Sequence, residues 1–221
     1  MNNKPALIIT IVVAILAAVA VIFAFKMLDS ENDPNQNRTN GTGDFIPGEE
    51  LETEAHNAAK RLVRDNHDVF KLFYLREYTP SDFMPEPYGN VPEDGYYTLK
   101  VGTIDIDGVV YDSIDRLFKL VDDTFVEAAA EEIKNYSTLT DDNSPVYKER
   151  DDKIGVNASF SPMEDYDLVW DEVSFTLTFI SENECTITAT LKDKDGKDVE
   201  LQKTMRKEDD DIWRLENIFY Q

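Results

Sequence analysis

From Ala6 to Phe25 the chain carries one polar residue, Thr10, and no charge. A helix of roughly 20 apolar residues reaches about 30 Å, the thickness of a bilayer's hydrocarbon core. The pattern predicts a single transmembrane anchor over residues 1–27. From Asp29 it inverts: DSENDPNQNRTNGTGDFIP holds almost nothing apolar before Phe45. Such a stretch is too polar to fold alone, so 28–47 reads as a disordered tether. Residues 48–221 carry the apolar periodicities of one folded domain, with no internal repeat.

A cleaved secretory signal is the rival reading of the first segment. Ala18-Val19-Ala20 has the shape of a cleavage site, but Val21, Ile22, Phe23 and Phe25 follow where a polar region belongs. An uncleaved anchor fits better. Lys4 and Lys26 flank the span almost symmetrically, so basic residues do not orient it. Long segments translocate with little regard to charge, which places the large domain outside the cell.

The domain opens with a helical pattern. Leu51, Ala55, Ala58, Ala59, Leu62, Val63, Val69, Phe70, Phe73 and Tyr74 recur at three- and four-residue spacing. A Pro-rich loop from Pro80 leads to Gly95, and Tyr96 to Ile106 reads as a strand. Asp107-Gly108 is a hairpin turn before Val109-Val110-Tyr111. Asp112 or Ser113 caps a short helix with Ile114, Leu117, Phe118 and Val121 on its apolar side. Thr124 with Glu127 makes a capping box for another, running through about Lys134.

The remainder reads as a β-meander. Val146–Glu149 and Ile154–Asn157 flank a turn at Arg150-Asp151-Asp152. Val173, Phe175, Leu177 and Phe179 alternate with polar residues, as do Cys185, Ile187, Ala189 and Leu191. A turn at Asp195-Gly196 leads into Val199 to Met205, and the acidic run Glu208 to Asp211 turns into a last strand with Ile212, Trp213, Leu215, Ile218 and Phe219. The fold class this order predicts is α+β: an N-terminal transmembrane helix, then helices packed on a curved antiparallel sheet.

Charge narrows the partners. All 45 acidic residues lie beyond the apolar stretch, and the chain's formal charge is −23. That excludes nucleic acid and anionic headgroups as ligands of the domain, since both are held by clustered Lys and Arg. A basic partner suits it, although charge also serves plain solubility. Cys185 is the single cysteine, so no intrachain disulfide, zinc cluster or paired-thiol redox motif exists.

Little in the chain points to catalysis. His56 and His67 stand eleven residues apart on one helix, about 16 Å, too far to share a metal or act as a pair. No serine sits in a nucleophile elbow, no glycine run cradles phosphate, and no cofactor is implied. Asp105-Ile106-Asp107-Gly108 and Asp193-Lys194-Asp195-Gly196 look like calcium loops, but neither supplies the later carboxylates, and hairpin turns explain both. Four glycosylation sequons, at Asn37, Asn40, Asn135 and Asn157, slightly exceed chance and matter only in a cell that glycosylates asparagine. The segment best suited to binding is Asp165-Tyr166-Asp167-Leu168-Val169-Trp170-Asp171-Glu172. Asp165, Tyr166, Asp167 and Trp170 are its candidate partner-binding residues, two aromatic anchors beside acids that steer a basic protein. The plainer alternative is that Trp170 plugs one end of the sheet while the acids stay in water.

Two resemblances follow from these residues. The element order, closing on Asp211-Ile212-Trp213-Arg214-Leu215, resembles the nuclear-transport-factor-2-like group of cone-shaped α+β domains. More narrowly, the stretch from about 95 to 218 resembles the bacterial DL-endopeptidase inhibitor (IseA-like) family. Tyr97-Thr98-Leu99 before Ile104-Asp105, Thr124-Phe125, the hairpin Tyr147 to Ile154 and Trp170 carry that likeness. The family's glycine-rich stretch before its tryptophan is replaced by Ser159 to Asp167. The resemblance implies inhibition of a cell-wall hydrolase without catalysis. Joined to the anchor and the charge, it gives as leading expectation a membrane-anchored, non-enzymatic binding module outside the cell that occludes a basic cell-wall hydrolase through its acidic surface. Two alternatives stay open: a small-ligand pocket lined by Tyr97, Phe118, Phe175 and Phe179, or an enzyme using a carboxylate buried in the cone.

Overall fold

The structure, a computed structural model, describes residues 45–76, 92–99, 103–106, 108–163 and 168–219. The expected transmembrane span, most of the tether, most of the Pro-rich loop and Asp165–Asp167 lie outside them. Among the described residues no helix is long and apolar enough to cross a membrane. The described residues fall within one compact unit, Asp44–Gln221. Phe45 already packs on Phe179, ring centroids 6.4 Å apart.

The fold is α+β, as expected: three helices against curved antiparallel sheets. Helix α1 spans Glu49–Phe70, buries Ala55, Ala59, Leu62, Val63, Val69 and Phe70, and passes into a π-helical turn, Lys71–Leu75. Two polar residues, Asp65 and Asn66, are buried with that stripe. Helix α2 is Ile114–Thr124 and α3 is Glu127–Asn135.

The nine strands among the described residues form three sheets. β1 (Tyr96–Thr98), β4 (Tyr147–Arg150) and β5 (Lys153–Asn157) make one, in the order β1-β5-β4. β2 (Ile104–Ile106) and β3 (Val109–Tyr111) make a hairpin. β6 (Val169–Ser181), β7 (Glu184–Lys192), β8 (Asp198–Lys207) and β9 (Trp213–Leu215) form a sequential antiparallel meander. The last strand stops at Leu215, short of the expected Ile218 and Phe219, because Phe219 pairs its backbone with the Asn66 side chain of α1 instead of a ladder. The single strand expected over Tyr96–Ile106 is therefore two. Its first half pairs with β5 and its second with β3, so the backbone changes ladder in between. The expected meander is likewise divided, because β4 and β5 pair with β1 rather than with β6.

Turn chemistry holds where it was local. Gly108 turns at φ 83°, and its N–H donates to Asp105 at 3.0 Å. Asp193 accepts from the backbone N–H of Asp195 at 2.9 Å and of Lys197 at 2.8 Å, so this carboxylate serves its own hairpin. Arg150 is the last strand residue rather than part of the turn, and Asp151 and Asp152 alone connect β4 to β5, at φ 54° and 58°.

Helix caps depart from expectation. Ser113 stands at the N-cap of α2, but its hydroxyl donates to Asp112 at 3.4 Å and caps nothing. The capping box on α3 does not form. Thr124 is the last residue of α2, with its hydroxyl donating to the Leu120 carbonyl at 2.7 Å, and Val126 takes the N-cap position. The first N–H of α3, from Glu127, instead donates to Glu208 at 3.3 Å, a carboxylate from the β8–β9 turn. A tertiary contact has displaced the local one.

The core joins α1, α2 and the inner faces of the sheets. Cys185, Ile187, Ala189 and Leu191 of β7 are all buried, as their alternation predicts. On β6 the same pattern is weaker: Phe179 is buried, while Val173, Phe175 and Leu177 are half-buried. β9 is locked to the helices. Arg61 of α1 donates to the Asp123 carbonyl at 3.0 Å and the Trp213 carbonyl at 3.1 Å. The Val126 N–H donates to the Leu215 carbonyl at 3.0 Å, beside a parallel bridge between Phe125 and Leu215.

Candidate functional site

Of the four residues expected to bind a partner, the structure places Trp170; Asp165, Tyr166 and Asp167 lie outside the described residues. Trp170 sits on β6, half-buried, and its ring stacks on His67 at 4.7 Å between centroids and 14° between planes. His56 meets Phe175 of the same strand at 4.8 Å. Eleven residues of helix and five of strand both advance about 16 Å. The two histidines thus mark where α1 lies antiparallel along β6. Both are committed to aromatic faces, and Trp170 is held in one orientation on an edge strand.

The four aromatics expected to line a pocket are differently engaged. Phe175 lies against His56 and Phe179 against Phe45, while the Lys134 ammonium stands 5.9 Å from the centre of the Phe118 ring. Tyr97 is half-buried on β1. The one buried carboxylate among the described residues is Asp65, on α1 rather than on the sheet. Arg64 donates to its Oδ1 from Nη2 at 2.8 Å and from Nε at 3.0 Å, and Arg61 stands 3.6 Å from Oδ2. That carboxylate is thus engaged by two guanidinium groups, one hydrogen-bonded to Oδ1 and one near Oδ2. Nearby, burial, then the charges of Asp68 and Asp65, push the Tyr111 phenol up to about 12.

A partly enclosed concavity lies elsewhere, beside the π-helical turn. A π turn is rare and is often found at functional sites. Here it is pinned from three sides. The Tyr147 hydroxyl donates to the Leu72 carbonyl, the Met163 N–H donates to the Tyr74 carbonyl at 2.9 Å, and Arg76 donates to the Phe160 carbonyl at 3.4 Å. Tyr147 also meets Phe73 edge-on, 5.0 Å between centroids at 88°. Phe73 is thereby fixed in the floor of a cleft of about 400 Å³, with Ile133 of α3, Val146 and Ile218. Glu132 and Tyr136 at the end of α3, Asn217, and Lys203 of β8 complete the wall.

Lys203 is the unexpected member. In the β7–β8 ladder it stands opposite Ile187, which is fully buried, between the inner-face pairs Ala189–Leu201 and Cys185–Met205. Val199, Leu201 and Met205 occupy the other inner positions, so a lysine breaks an apolar row. Among the described residues its ammonium has no ion pair. Glu132 lines the same cleft, yet the two do not pair with each other.

Cys185 faces the core of β7, where burial, then the charge of Glu184, pushes its thiol up to about 12. No group of three or more His, Cys, Asp or Glu is placed to hold a metal among the described residues. No protein-family model and no curated protein matches this chain.

Proposed function

We propose that this is a membrane-anchored binding module with its folded domain outside the cell, docking a basic envelope protein without catalysing a reaction. The observation that carries this reading is the setting of Trp170. It is half-exposed on an edge strand, oriented by His67, and lies within a run that also holds Asp165, Asp167, Asp171 and Glu172. A pre-oriented aromatic supplies contact area at little entropic cost, and flanking carboxylates accelerate encounter with a basic surface. The uninterrupted apolar stretch Ala6–Phe25 supplies the anchor, and the polar segment after it lets the domain reorient near the bilayer. Occlusion of a cell-wall hydrolase, as in the inhibitor family the sequence resembles, is the form of docking this arrangement suits.

The test is capture of envelope proteins by the full chain at low and moderate salt, beside Trp170→Ala and a double Asp165→Asn, Asp167→Asn variant. One basic hydrolase enriched by the wild type, weakened by both variants and by salt, is the expected result. Enrichment of nothing, or of proteins indifferent to both variants, refutes the docking reading. Protease added to intact cells tests the topology: it should remove the domain.

A further inference from the structure

The geometry points to a second binding site, independent of the Trp170 segment, in the cleft beside the π turn. We propose that it takes a monocarboxylate with a flat or branched apolar body, seated with its carboxylate on Lys203. The site shares no lining residue with the acidic segment.

Three observations converge. First, Lys203 occupies an inner-face position opposite fully buried Ile187, among Leu201 and Met205. Lys203 is half-buried, and its ammonium, without an ion-pair partner among the described residues, is available to a bound anion. Second, the floor is rigid and apolar: Phe73, Ile133, Val146 and Ile218 are all buried, and Tyr147 holds the π turn that presents Phe73. At about 400 Å³ the cleft falls within the range of small-molecule sites. Third, the wall sets the charge of the occupant. Glu132 stands in the same cleft as the single lysine, and the chain as a whole carries −23. A phosphate dianion would meet more repulsion than one ammonium offsets, whereas a monoanion is neutralised by Lys203 alone. Asn217, exposed in the wall, offers an amide donor to the second carboxylate oxygen.

Ligand-observed NMR with the full chain in micelles tests the assignment, using 3-phenylpropionate as probe. Its uncharged amide, 3-phenylpropylamine and phenyl phosphate serve as comparators. Saturation transfer to 3-phenylpropionate should fall about tenfold or more in Lys203→Met, the scale of one lost charge-assisted hydrogen bond. Lys192→Met, which removes a lysine paired with Asp198, should leave binding unchanged. Because all variants share the micelle, partition of the probe into detergent cancels. Ala129→Phe, which narrows the cleft while keeping Lys203, should also abolish the signal. The proposal is overturned by no transfer at millimolar probe, by equal transfer in Lys203→Met, or by equal or stronger binding of the amine, the amide or phenyl phosphate. None of these outcomes bears on capture of a protein through Trp170.

Discussion

Asn66 and Phe219 hold each other as two strand neighbours would. The Phe219 N–H donates to Asn66 Oδ1 at 2.7 Å, and Asn66 Nδ2 donates back to the Phe219 carbonyl at 3.3 Å. Both residues are fully buried. A side chain near the C-terminal end of α1 thus does the work of a β-ladder for the C-terminal segment, whose backbone polar groups would otherwise be buried without partners.

Asn66→Ala should therefore cost about 2–4 kcal/mol, because it strands a buried donor and a buried acceptor together. Chemical denaturation of the wild type and variant measures this. Removal of residues 218–221 should cost more, because it also takes buried Ile218 and Phe219 out of the core. Combined with Asn66→Ala it should add much less than the sum, since both changes break the same contact.

Lys203→Met should leave the domain as stable or raise stability by up to about 1 kcal/mol, since a half-buried charge is replaced by an apolar chain of similar length. Thermal unfolding reads this directly. A marked loss would mean that Lys203 holds the sheet rather than a ligand.

Asp210 makes a two-pronged ion pair with Arg214, Nη1 to Oδ1 and Nη2 to Oδ2 both at 2.8 Å. That hydrogen bonding holds the Asp210 carboxyl below its ordinary value. A carboxylate depressed in the folded state contributes stability above the unfolded value, about 3.9, and loses it as pH falls through the folded value. Asp210→Asn should accordingly be less stable than wild type at pH 6, and the gap should close as pH falls below about 4. Melting curves of both proteins across pH 2.5–7 test this. A gap independent of pH would dismiss the assignment.

Asp151 and Asp152 both adopt left-handed backbone between β4 and β5. Left-handed conformation costs a side-chain-bearing residue roughly 1–2 kcal/mol, and glycine nothing comparable. Asp152→Gly should stabilise the domain by about 1 kcal/mol, seen as a higher denaturation midpoint with an unchanged slope.

The elements legible in the sequence were those whose cause is local. Cys185 to Leu191 alternates with the pleat and is buried as it alternates. Gly108 and Gly196 turn where glycine was needed, at φ 83° and 77°. What stayed hidden depends on distant contacts. Asn66 reads as a solvated helix residue until Phe219 arrives, and the capping box at Thr124 loses to Glu208, 81 residues away from Glu127. The π turn has no sequence pattern of its own and follows from Tyr147, Met163 and Phe160 gripping its carbonyls and its neighbour Arg76. Lys203 did leave a signal: a lysine at the inner position between Leu201 and Met205. Such a signal is weak, because a charge in a strand ordinarily faces water. Asn157 shows the opposite failure. It forms part of a sequon, yet it is buried and its amide donates to Ser144 at 2.7 Å, so the folded domain offers no acceptor there.

The bridge between Phe125 and Leu215 has a colloidal consequence. At high local concentration bare sheet margins recruit one another into fibrils. β9 ends the meander, yet its Leu215 carbonyl is already occupied by the Val126 N–H. That flank of the meander is therefore partly covered against templated growth, and the other margin of the same sheet is β6.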